Sequence, residues 1–400
     1  MDQLTRIIAG EKIRERVRRT RHPVTQKVLK IVSLMDYDLF VHKDENLAPS
    51  KPIFTLILTI YDANIQYIEK SLHSVFEQTY KNTEVILINN GARGKVQELI
   101  WNYFVNHKNS KLICTKKNLY NPAAKILSDP VPNLWNAGLF CSVGNFIYFL
   151  SYDDAISPNY TEEMVQLFIQ NEKCCTAAPA VMSINELGEI NEDVSRFHRE
   201  HNLRGRYTNG VSLAKSHMRG ENKISFPGGL LAIKSSVVLD CGCFDSHSDL
   251  SQLFKFAICG ESGFSPKAIL YWRHHSGQAH KIQRKMGLVY YRSLKEFNKV
   301  YHIQKLHETM AGTLFAEEYE RYIDKLIVEQ TITAFRDSYT ISFYSGLKAW
   351  RHILLECPFR IQVMALRCYL RDFSNYFRRW PIARFVYHKF FKNKLKKSGS

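Results

Sequence analysis

No stretch of this 400-residue chain approaches the roughly 18 consecutive apolar residues that crossing a bilayer requires. The opening MDQLTRIIAGEKIRERVRR is charged from the start and lacks the apolar core of a secretory signal. Cysteine is present, nine times, but in no paired framework. Cys241-Gly-Cys243 and the Cys174-Cys175 doublet lack the repeated CxxC spacing and neighbouring histidines of a structural zinc site, so the cysteines read as reduced packing residues. No internal repeat, low-complexity tract, zinc-finger, RNP-type or helix-turn-helix pattern is found. These absences lead to the expectation of a cytoplasmic protein, or one peripheral on the cytosolic face of a membrane.

At 45% hydrophobic and 23% charged residues, the composition is that of an ordinary globular chain, long enough for about two or three domains. The formal charge of +17 is not ordinary, and it implies an anionic partner: a nucleic acid, an acidic membrane leaflet or a phosphorylated substrate.

Residues 1–50 read as a basic, helical N-terminal extension closed by the loop KDENLAPSKP. The texture changes at 51. Apolar runs (IFTLILTI, TEVILI, SKLICTK, NFIYFL) alternate with segments whose apolar residues recur at helical spacing (NIQYIEKSLHSVFEQT, GKVQELIWNYFV, NLWNAGLFCS). Near-continuously apolar strands separated by helices signal an α/β fold with a mostly parallel sheet, helices on both faces. A helix at about 159–171, a strand TAAPAVMSI, a loop-rich stretch at about 186–222 and a strand leading into a helix in ISFPGGLLAIKSSVVL follow. From about 281 to 400 the pattern is helical and basic. The last part, YFRRWPIARFVYHKFFKNKLKKSGS, has no acid and interleaves aromatics with Lys and Arg. It suits peripheral contact with an anionic membrane, or equally a solvated tail packed on the domain.

The segment GNFIYFLSYDDAISP carries the chemistry. It runs an apolar strand straight into adjacent aspartates, Asp153 and Asp154, at the edge where open α/β sheets bind ligands. Two carboxylates so placed suit a hard divalent cation such as Mg²⁺, which takes oxygen ligands shared with substrate phosphates.

With these motifs in order, residues 53–280 resemble the inverting family 2 glycosyltransferases of GT-A fold. TLILTIYDANIQYIEKSLHSVFEQTYKNTEVILINNGA looks like the family's opening, and NAGLFCSVGNFIYFLSYDD like its Asn-x-Gly, Ala-x-Gly and Asp-x-Asp-Asp segment. GCFDSHSDLSQLFKFAICG is similar to the Gly-x-Phe-Asp element and the later Glu-Asp that precedes a helix, and YWRHHSGQ to the Arg-x-His segment. The resemblance divides 51–280 into a nucleotide-binding half (51–155) and an acceptor half (156–280).

It implies a donor site of Tyr61, Asp62, Asn89, Asn90, Asn136, Asp153 and Arg273. Tyr61 would stack on the nucleobase, unless it is a core tyrosine. Asp62 stands where the family has Asn, and Asn89 and Asn90 where it has Asp-Asp. Asn136 would meet the donor or merely polarise a helix start, and Arg273 would neutralise the leaving diphosphate. A Mn²⁺ or Mg²⁺ ion would be held by Asp153, Asp154 and His275, with His274 as the alternative to His275. Ser151 replaces the first Asp of the metal motif. The implied catalytic base is Asp249, with Asp245 its rival and a plain N-cap its other reading. Ser248 takes the place of the Glu before it, and Pro227–Gly229 would approach the acceptor sugar.

The expected function is metal-dependent, inverting transfer from a nucleotide-sugar donor to a saccharide or lipid-linked acceptor, in cell-surface polysaccharide or glycan synthesis. Its rivals are a nucleic-acid-binding protein on a nucleotide-binding sheet, disfavoured because the basic residues cluster at the termini, and a non-catalytic nucleotide-sugar or glycan-binding relative. The C-terminal helices are open to membrane contact, oligomerisation or a partner.

Overall fold

The computed structural model describes residues 4–8, 37–42, 47–119, 131–200, 205–219, 231–244, 255–278 and 343–367, with single positions between 318 and 332. The chain divides into two compact units, residues 1–275 with 303–318, and residues 276–302 with 319–400.

In the first unit the apolar runs form strands and the periodic segments form helices. In chain order these are β1 (Leu4–Ile8), β2 (Tyr37–His42), β3 (Phe54–Ile60), α1 (Ile65–Phe76), β4 (Thr83–Asn89), α2 (Gly94–Asn106), β5 (Ser110–Thr115), α3 (Val131–Cys141), β6 (Phe146–Ser151), β7 (Ala155–Ile156) and α4 (Tyr160–Gln170). There follow β8 (Cys174–Ile184), α5 (Glu192–Glu200), β9 (Tyr207–Asn209), α6 (Gly210–Met218), β10 (Ala232–Lys234), α7 (Ser235–Asp240) and β11 (Glu261–Arg273).

All these strands join one sheet in the order β1-β2-β5-β4-β3-β6-β10-β8-β11-β7, with β9 paired to β11. The pairs β3–β4, β3–β6, β4–β5 and β8–β11 are parallel. Strand β10 runs antiparallel to both β6 and β8, so the long strands on either side of it point the same way. The sheet is mixed and mostly parallel. Every residue of β4 is buried, which requires cover on both faces. Helices α1 and α2 pack through Ile68, Leu72, Ile100 and Phe104 with Leu56, Leu58, Val85 and Leu87. Helix α3 lies on the opposite face, where a Cβ on Gly138 would sit 2.8 Å from the side chain of Ile57. Only glycine lets the helix come that close. Each fully buried Leu or Ile in these layers stabilises the fold by about 1.5–3 kcal/mol.

The end of the sheet where β3, β4 and β5 begin holds a buried charge pair. Lys111 Nζ lies 2.5 Å from Glu84 Oε1, both side chains 1% exposed. The other carboxylate oxygen of Glu84 accepts from Thr55 Oγ1 (2.6 Å) and the Val143 amide (2.9 Å), and Lys111 also donates to the Cys141 carbonyl (3.2 Å).

Two sequence expectations need correction. The N-terminal extension is not helical where it is described: β1 and β2 pair antiparallel, and β2 pairs with β5, extending the sheet. Tyr37, Leu39 and Val41 alternate inward along β2, a strand period that the dense basic charge around it conceals in the sequence. The stretch at about 186–222, expected to be loops, contains α5, β9 and α6. Helix α5 has few apolar residues, and the starts of both helices are set by asparagine side chains. Asn191 accepts from the Val194 amide and Asn209 from the Ser212 amide.

In the second unit, the described helix is α8 (Phe343–Glu356), followed by a helical stretch at 359–367. The aromatic basic segment from 376 onward lies outside the described residues.

Candidate active site

The site is built where β4, β3, β6 and β11 end. The register that pairs Ile60 with Asn89 and Thr59 with Ser151 sets three turns side by side: 89–93, 61–64 and 151–154. The end of β11 reaches the last of these through β7, which pairs Ala155 and Ile156 with Tyr271 and Leu270.

The adjacent aspartates have different jobs. The carboxylate of Asp154 accepts from the backbone amide of Arg273 (2.9 Å) and ties the turn to β11. Asp153 faces its own partners: Oδ2 lies 2.8 Å from His275 Nε2, and Oδ1 accepts from the Ser151 hydroxyl. Asp153, Asp154 and His275 are all buried, and each carboxylate has a polar or charged partner, as burial demands. Of the two histidines, His275 is the one whose ring meets Asp153. His274 instead lays its ring against Trp272 at 4.1 Å and donates its amide to the Ile184 carbonyl.

Arg273, expected to meet the diphosphate, is 1% exposed. Its Nε donates to the Asp153 carbonyl (2.8 Å), one terminal nitrogen donates to the carbonyls of Asn185 (3.1 Å) and Glu186 (3.4 Å), and its guanidinium lies 4.7 Å from the centre of the Tyr67 ring. Burial lowers its pKa, opposed by Tyr67 and the charges of Asp154 and Asp153. These contacts make Arg273 a brace that holds the acidic turn from behind. Tyr67, which the sequence reading did not single out, packs against both Arg273 and His275, the latter ring at 5.3 Å. Its position one turn into α1, after the Tyr61 turn, was the available signal.

Tyr61 is half-buried, its ring set edge-on to Tyr152 at 4.7 Å, and burial pushes its phenol above the ordinary value. Asp62 accepts from the Arg93 amide (3.1 Å), linking the turns after β3 and β4. Asn89 and Asn90 are buried and engaged locally. Asn89 exchanges two hydrogen bonds with the backbone of Ala92, while Asn90 accepts from the Leu119 amide (2.9 Å) and donates to Asn118 (3.0 Å). They hold the turn at 89–93 from within. Gly91, the next residue, has φ +73°, and a Cβ there would collide with the Asn118 amide nitrogen.

Asn136 is fully buried. It donates to the Phe244 carbonyl (2.6 Å) and accepts from the Phe244 amide (2.9 Å), clasping α3 to the segment after α7. Asp245, Ser248, Asp249 and Pro227–Gly229 lie outside the described residues.

Among the described residues, no group of three or more His, Cys, Asp or Glu side chains converges as metal ligands. Of the expected trio, Asp153 and His275 stand side by side, while one oxygen of Asp154 accepts from the backbone of β11. The pair fits a cation nonetheless. Neighbouring ligands at about 2.1 Å from an octahedral ion stand about 3.0 Å apart, close to the observed 2.8 Å. Such a pair is a partial donor set, suited to an ion whose shell phosphate and water oxygens complete.

The family model for glycosyl transferase family 2 matches residues 55–223, spanning β3 to α6 and the acidic turn. The chain carries a family 2 glycosyltransferase domain. A relative from Haemophilus influenzae, an uncharacterised glycosyltransferase, is 31% identical to it over 125 residues, 31% of this chain and 46% of the relative. A second from the same organism, likewise an uncharacterised glycosyltransferase, is 25% identical over 312 residues, 71% of this chain and 89% of the relative. The chain therefore spans under half of the first relative's length and most of the second's. The crystal structure of S. aureus TarS 1-349 in complex with UDP-GlcNAc matches with a TM-score of 0.53 at 13% identity, covering 81% of this chain and 89% of that one. That likeness is one of fold: the glycosyltransferase domain has a GT-A-like sheet.

Proposed function

We propose that this chain transfers a sugar from a nucleotide-sugar donor to a saccharide or lipid-linked acceptor, with inversion and with the help of a divalent cation. The observation that carries the reading is the Asp153–His275 pair, buried beside the Tyr61 turn at the ligand-binding edge of a family 2 domain. Tyr61 offers an aromatic face to the nucleobase, and the turn at 89–93 forms the wall next to it. Asp153 and His275 would hold the cation, which would supply the positive charge that a departing nucleoside diphosphate needs. Asp249 takes the acceptor hydroxyl's proton as that oxygen attacks the anomeric carbon and the carbon–phosphate-oxygen bond breaks. Synthesis of a cell-surface polysaccharide or glycan is the role in keeping with such an acceptor.

A second reading is favoured by one residue. Ser151, in place of a carboxylate, leaves the cation one acidic ligand short and occupies Asp153 with a hydroxyl, as in a relative that binds a nucleotide sugar without transferring it. One experiment separates the two: thermal shift and turnover with UDP-, GDP-, dTDP- and CMP-sugars, with and without Mn²⁺. Stabilisation by one donor class together with release of its nucleotide supports transfer. Stabilisation without release supports the binding protein, and neither effect refutes both. Asp249→Asn is expected to lower turnover by about 10²–10⁴-fold while leaving the donor's thermal shift intact. Full activity in that variant would remove Asp249 from the mechanism.

A further inference from the structure

The described part of the second unit contains an amphipathic helix turned inside out. Along α8, the residues that face inward are small or single-branched: Gly346, Ala349, Ile353 and, just beyond the helix, Cys357 are buried. The outward side carries the large apolar groups. Tyr344 is 76% exposed, Leu355 71% and Phe359, at the start of the next helical stretch, 77%, with Leu347 and Leu354 also exposed. At 3.6 residues per turn, the exposed positions of α8 fall on one stripe about 120° wide, opposite the buried one. Single exposed leucines are ordinary on a protein surface, but a continuous stripe of them marks a contact site.

The charges on the stripe indicate its occupant. Lys348 and Arg351 lie within it, and Arg360 and Arg367 follow, all exposed. Glu356 is the sole acidic residue in 343–367. A second copy bound through the same face would bring these cations against their own equivalents. An anionic lipid surface instead accepts both components, the apolar side chains among its acyl chains and the cations among its headgroups. No described helix is long and apolar enough to cross a membrane, and the 14 residues of α8 suit one that lies along it.

We propose that the outward face of α8 and of the stretch after it, centred on Leu355 and Phe359 with Lys348 and Arg351, rests on the surface of an anionic bilayer. The test is cosedimentation of the full chain with vesicles of phosphatidylcholine containing about one-third phosphatidylglycerol, against phosphatidylcholine alone. The wild-type chain should bind the anionic vesicles and lose them as salt rises. Binding should weaken at least about tenfold in Leu355→Ser/Phe359→Ser, which keeps every charge, and in Lys348→Gln/Arg351→Gln, which keeps every apolar group. Both pairs are exposed, so the thermal midpoint should stay at the wild-type value. Failure of the wild-type chain to bind would overturn the proposal. So would undiminished binding by the serine variant, which would assign binding to basic residues elsewhere. Conversion of a dimer to a monomer by that variant, with vesicle binding unchanged, would name a second copy as the occupant and overturn it too.

Discussion

Replacing Lys111 by Met should destabilise the glycosyltransferase domain more than almost any other single change. Its ammonium and the Glu84 carboxylate are 2.5 Å apart and both 1% exposed, so neither can recover its hydration when the other is removed. In the variant, Glu84 keeps the Thr55 hydroxyl and the Val143 amide but loses its only counter-charge among the described residues. Leaving a buried charge unmatched costs about 3–5 kcal/mol. At about 2–4 °C per kcal/mol for a cooperative unit of this size, the unfolding midpoint should fall by roughly 6–20 °C. The double variant Lys111→Met/Glu84→Gln removes both charges and should return to within about 1–2 kcal/mol of the parent, since a buried pair contributes little net stability over neutral groups. Thermal unfolding of the four proteins by circular dichroism closes the cycle. Additive losses in the double variant, or a loss under about 1 kcal/mol in Lys111→Met alone, would refute the coupling.

Other perturbations have defined outcomes. His275→Ala should weaken the Mn²⁺-dependent part of donor binding by at least about tenfold, read as a reduced thermal shift with metal and little change without it. Gly91→Ala must hold φ near +73° and push against the Asn118 backbone, so it should cost more than about 1 kcal/mol and lower the midpoint measurably. Burial pushes the thiols of Cys114 and Cys174 up to about 12, so both should resist alkylation in the native state while exposed Cys259 labels first, as peptide mass spectrometry would show.

The central sheet was legible because its strands are apolar on both faces. Runs such as Thr83–Asn89 leave no competing period, and the helices between them keep clean amphipathic spacing. Strand β2 was not, because Tyr37, Leu39 and Val41 alternate over only six residues beside a long basic stretch. Helices α5 and α6 escaped for another reason: they are fixed by Asn caps and tertiary contacts such as Ser195 with Ser183, which no periodicity encodes. At the site, motif order named Asp153 and His275, which the fold brings to 2.8 Å of each other. Their neighbours could not be assigned from residue type alone. Arg273 and Asn136 carry groups that suit a ligand, yet in both the hydrogen bonds go to backbone atoms distant in sequence. The same limit applied to Asp154, whose carboxylate is drawn to a strand amide rather than to its twin's partner.

The pairing of Asp153 with His275 joins positions 122 apart in the chain. The matched family segment ends at residue 223, so a fragment cut at that border keeps the acid and loses its imidazole partner. On a translating ribosome, likewise, the acidic turn is made well before its histidine partner, and the pair cannot form until β11 has docked beside β8. The late strand thus sets a built-in delay between the synthesis of the turn and the completion of the pair.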